Sequence, residues 1–100
     1  MENTKINLNE FVKLIVGLHQ RGISFNTIIG QDSAILIVCD RDGIYLWDAA
    51  INPLTYGYKE GLLEIKGNLV SKLSTFEFEN EEGIVGWLSA DDILRLGVDK

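Results

Sequence analysis

The side chains able to do chemistry are few and stand apart. His19 is the only histidine and Cys39 the only cysteine. An imidazole can serve as a general base and a thiolate as a nucleophile. Neither has an obvious helper nearby in sequence. Cys39 closes the apolar run 34–38, where a cysteine behaves as a small hydrophobe. A structural or surface role is the favoured reading for both. With one residue of each kind, no histidine–cysteine set has zinc spacing. Asp40, Asp42 and Asp48 cluster along a short stretch and could hold a hard cation. Asp40-Arg41-Asp42-Gly43 lacks the ligand series of a calcium loop, and turn chemistry accounts for its aspartates without a metal. No glycine-rich phosphate loop is present. No catalytic residue, cofactor or metal is assigned, and an enzyme is not expected.

Charge gives a stronger signal. The net charge is −6, and it is unevenly placed. Between Leu73 and Leu94 there is no lysine or arginine, while Glu77, Glu79, Glu81, Glu82, Asp91 and Asp92 fall in that window. The other nine acids balance the nine bases. Such a segment disfavours direct binding to nucleic acid or to an anionic membrane surface. It suits a solvated face, a charge-protected strand edge, or a docking surface for a basic protein. Tyr56 and Tyr58 flank Gly57 in a stretch without clear periodicity, where exposed aromatic anchors are expected. Tyr45, Trp47 and Trp87 could join them in an aromatic surface, although strand alternation favours a core position for the two tryptophans.

These residues need a scaffold. At 100 residues with 46% hydrophobic content and one proline, a single compact α+β domain spanning 1–100 is expected. Asn7 with Glu10 reads as a capping box, with Ile6 and Phe11 as its staple. Leu8, Phe11, Val12, Ile15 and Leu18 then give a helical stripe over residues 8–21, closed at Gly22. Residues 23–29 alternate as a half-buried strand. Residues 35–38 read as a central strand covered on both faces. They fold back through Asp42-Gly43 onto residues 44–49, making a hairpin at the middle of the fold. Asn52-Pro53 turns the chain. Strands follow at 62–66, 74–80 and 84–88, with Phe76 and Phe78 pointing inward. Ser89 and Asp92 repeat the capping pattern ahead of a short helix that Gly97 closes.

Sequential strands joined by tight turns imply an antiparallel sheet of five or six strands, covered by the N-terminal helix. No stretch has membrane-spanning length, and the N-terminal residues lack a signal-peptide pattern, so a cytoplasmic setting is expected. The first functional expectation is a small acidic interaction protein: a regulator, inhibitor or adaptor. It would bind another, basic macromolecule through the 77–92 face and the tyrosines. Its size and acidity also suit a phage or mobile-element product. The alternatives are a small-molecule binder or minor enzyme with a site near residues 48–59, and a subunit that self-associates, for instance as a homodimer through an open sheet edge.

Overall fold

The computed structural model describes residues 6–72 and 83–96. The elements run α1 (Asn9–Gln20), β1 (Asn26–Ile29), β2 (Ala34–Cys39), β3 (Tyr45–Ile51), β4 (Leu63–Gly67), β5 (Val85–Leu88) and α2 (Ala90–Leu94). The expected strand at 74–80, with Phe76 and Phe78, lies outside the described residues. The sheet has five strands in the order β1-β2-β3-β4-β5, each antiparallel to its neighbour. This is a meander in which short turns join β1, β2 and β3, whereas the longer connections 52–62 and 68–84 lead into β4 and β5; the fold is α+β.

Helix α1 buries Phe11, Leu14 and Leu18 against Leu36, Trp47, Ala49, Ile51, Leu63 and Ile65 of the sheet. Its buried stripe differs from the expected one: Leu14 faces the core, while Val12 is exposed. The start also differs. Leu8 is the N-cap, Asn7 Oδ1 accepts from the Asn9 N–H at 3.0 Å, and no Asn7–Glu10 box forms. Glu10 instead accepts the Ala90 N–H at 2.8 Å, tying α1 to the first turn of α2. Helix α2 has the box expected of it. Ser89 Oγ accepts from the Asp92 N–H at 3.1 Å, and Asp92 Oδ2 accepts from the Ser89 N–H at 3.0 Å. Gly17 is the close-approach point between the helices, since a Cβ there would lie 2.4 Å from Leu94 Cδ1. Among the described residues, no helix is long and apolar enough to cross a membrane.

Strand β2 lies between β1 and β3, as a central strand should, but only one of its faces is fully buried. Ala34, Leu36 and Val38 enter the core, while Ile35, Ile37 and Cys39 are half-buried. The reason is that both helices lie on the same side. Strand β1 is shorter than the 23–29 reading, and all four of its residues are exposed because it is an edge. Ile23 and Phe25 pack against the core from the connection instead. Leu69 and Val70 are buried in a 3₁₀ turn after β4.

Candidate functional site

Asp40 is committed to the hairpin turn. Asp40 Oδ1 accepts the N–H groups of Asp42 at 2.9 Å and Ile44 at 3.0 Å, and Gly43 has φ +80°. The pairing register shifts between Val38 and Cys39. An uninterrupted strand would put residues 45 and 48 on opposite faces. The shift brings them together, and the Tyr45 hydroxyl donates to Asp48 Oδ2 at 2.6 Å. Desolvation, that hydrogen bond and the nearby negative charge raise the Tyr45 pKa well above its usual value. His19 is exposed on α1, and Cys39 is half-buried at the end of β2. Among the described residues, no three His, Cys, Asp or Glu side chains converge as a metal set.

The most unusual local geometry lies at the other end of the sheet. Leu63 pairs with Leu88 and Ile65 with Val85, so Gly86 and Trp87 of β5 together face Glu64 of β4. This is a β-bulge, a device that re-aims side chains and is common beside functional sites. Trp87 takes φ +56°, the only non-glycine residue with positive φ among those described. For a bulky side chain that region costs about 1–3 kcal/mol. The bulge turns the Trp87 indole outward, 47% exposed, where strand alternation predicts burial. Trp47 does lie in the core, 2% exposed.

The loop after β3 is built to receive that indole. Asn52 Oδ1 accepts the Leu54 N–H at 2.7 Å, and the Thr55 hydroxyl donates to the Asn52 carbonyl at 2.9 Å. Gly57, at φ +94°, leads into a 3₁₀ turn, Tyr58–Glu60. The Tyr56 N–H donates to Glu64 Oε2 at 3.0 Å, and its carbonyl accepts the Trp87 N–H at 3.3 Å. The Tyr56 and Trp87 rings stack with centroids 4.9 Å apart and planes 21° from parallel. Two glycines permit this closeness. A Cβ on Gly86 would lie 2.2 Å from Tyr56 Cβ, and one on Gly57 would lie 3.1 Å from Trp87 Cα. Glu64, buried in β4 opposite the bulge, holds loop and strand together.

The stacked rings form one wall of an open hollow of about 310 Å³, lined also by Pro53, Thr55, Tyr58 and Lys59. Its chemistry is an aromatic shelf with an ammonium and, at Glu60, a carboxylate at its margin. Such a shelf can stack a planar group, cover an apolar side chain, or take a guanidinium on the indole face.

The expected site residues divide accordingly. Tyr56 and Tyr58 line the hollow, with Tyr58 half-buried against the core. Asp91 is exposed on α2, Asp92 serves the cap and lies 4.0 Å from Arg95, and neither lines the hollow. Asp48, at the start of the expected 48–59 site, is bonded to Tyr45 and does not line the hollow either. Glu77, Glu79, Glu81 and Glu82 lie outside the described residues. Sequence reading offered Trp87 for an aromatic surface but favoured the core for it, and it did not single out Gly86 or Glu64. The available signal was Gly86 inside a short strand, which marks a bulge or a close backbone approach.

No protein-family model, curated protein or solved structure matches this chain.

Proposed function

We propose that this chain is a non-enzymatic, cytoplasmic interaction module that docks a basic protein on the Tyr56–Trp87 shelf. One observation carries the reading: Trp87 is held outward in a strained backbone conformation, stacked on Tyr56, in a hollow of the surface. Strain of this kind persists where the surrounding structure enforces it, and it gathers at functional positions. A tryptophan and a tyrosine presented rigidly are the usual anchors of a protein interface. The choice of a basic partner rests on charge. In the chain, Glu77, Glu79, Glu81 and Glu82 come shortly before Trp87, and complementary charge speeds encounter. An arginine that leaves water to lie on the indole then gains a cation–π contact.

Titration with an arginine-rich peptide, followed by tryptophan fluorescence, tests this. Trp87 emission should change saturably and weaken with salt. Charge reversal at Glu77, Glu79, Glu81 and Glu82 should weaken binding severalfold while leaving the Trp47 signal unchanged. Binding indifferent to both salt and charge reversal contradicts the reading.

The dimensions of the hollow favour one alternative, a small planar ligand on the same shelf, since about 310 Å³ is at the lower end of ligand-site volumes. A ligand of that kind would bind the charge-reversed chain as well as the native one.

A further inference from the structure

The opposite edge of the sheet is formed by β1. Among the described residues, β1 pairs with β2 alone. Among those residues nothing pairs with its outer edge, and Ile28 is 63% and Ile29 56% exposed. Proteins blunt such edges with lysine, proline or a bulge, because an open strand templates pairing with another chain. None of these is present: residues 22–31 contain no charged residue and no proline, and the β1–β2 register is unbroken.

The direction of the open main-chain groups can be derived. The Gly30 N–H donates to the Ser33 carbonyl at 2.8 Å, so Gly30 faces β2. Main-chain groups alternate sides along an antiparallel strand. Those of Ile28 and Asn26 therefore face β2, and those of Thr27 and Ile29 point outward. The register gives the side chains. Thr27 and Ile29 lie on the face of buried Leu36 and Ala34, and Ile28 lies on the face of half-buried Ile35 and Ile37.

We infer that two copies of this chain pair antiparallel through β1 across a two-fold axis, with Ile28 opposite Ile28 of the second copy. In this register Thr27 meets Ile29 of the second copy as a hydrogen-bonded pair, and Ile29 meets Thr27. Every outward donor and acceptor of β1 is used. Ile28 meets itself as the closer, non-hydrogen-bonded pair, at a Cα separation of about 4.5 Å. The two Ile28 side chains join the Ile35 and Ile37 patches of both copies into one apolar surface. A second copy suits this edge because the strand is complementary to itself, as a two-fold interface requires. Charge agrees: a chain of net charge −6 can approach its own copy along a stretch without charge at lower electrostatic cost than elsewhere.

Sedimentation equilibrium on the full chain at micromolar concentrations should give twice the chain mass. Thr27→Pro deletes only an outward N–H, a position where an edge strand tolerates proline. It should give the single-chain mass with an unchanged circular dichroism spectrum. Ile28→Cys in a Cys39→Ser background should form a covalent dimer on mild oxidation, since the facing Cβ atoms fall near disulfide range. A native chain at single mass throughout, a folded Thr27→Pro chain that remains dimeric, or an Ile28→Cys chain that does not cross-link would each overturn the pairing.

Discussion

The Trp87 indole lies on the Tyr56 ring at 4.9 Å, although the two residues belong to different segments, a loop and a bulged strand. The stack joins two costs, a left-handed tryptophan and a loop with two positive-φ glycines. Replacing Trp87 by glycine relieves about 1–3 kcal/mol of backbone strain and forfeits about 0.5–1.5 kcal/mol of stacking beyond the apolar area that the half-buried indole covers. The Trp87→Gly chain should therefore resist urea better than Trp87→Ala, which gives up the same stack and keeps the strain. Trp47→Ala, by contrast, removes a core side chain and should cost about 3–5 kcal/mol.

Gly86 should tolerate no side chain. The added methyl of Gly86→Ala would meet the Tyr56 Cβ and its carbonyl oxygen, and rotamer change cannot relieve a clash with backbone and Cβ atoms. Urea unfolding should show a loss of about 1–3 kcal/mol. The shift of the loop should also appear as a changed near-ultraviolet dichroism of the Tyr56–Trp87 pair.

The sequence made much of this scaffold legible. Helix α1, the β2–β3 hairpin and the Ser89 cap follow local rules: apolar spacing, turn residues and a capping pair three residues apart. The Tyr56–Trp87 end of the molecule did not follow them. Trp87 points outward because Gly86 and Trp87 share one partner, Glu64, and that count depends on a strand about twenty residues earlier. Glu10 was misread for the same reason. Its pattern with Asn7 looks local, but its carboxylate bonds to Ala90 at the other end of the chain. Val12 and Leu14 exchanged roles because the core stripe is set by where the sheet lies, not by periodicity alone.

Glu64 should prove to be the peg of the loop. Glu64→Ala strands the Tyr56 N–H in a part-buried position and should cost about 1–3 kcal/mol in chemical unfolding. Glu64→Gln keeps an acceptor oxygen at the same reach and should recover most of that loss. Equal losses in both variants would mean that the carboxylate charge, not the hydrogen bond, fixes Tyr56.

Alkaline titration should single out Tyr45. Its folded-state pKa is raised, first by desolvation and then by the hydrogen bond and charge of Asp48. The folded chain therefore holds that proton after the unfolded chain has lost it. The stabilisation is complete below the ordinary tyrosine pKa of about 10 and is lost as pH climbs toward the higher folded value. Tyrosinate absorbance should show a late-titrating phenol. Tyr45→Phe should remove that late step and flatten the fall in stability on the alkaline side.

The docking account meets its most direct test in affinity capture by the immobilised chain from host lysate, comparing the native chain with a folded Trp87→Ala variant. The account predicts that the native chain retains a basic protein, released by salt, and that Trp87→Ala, still folded by circular dichroism, loses at least tenfold of that capture. Equal capture of the same protein by both chains would contradict it.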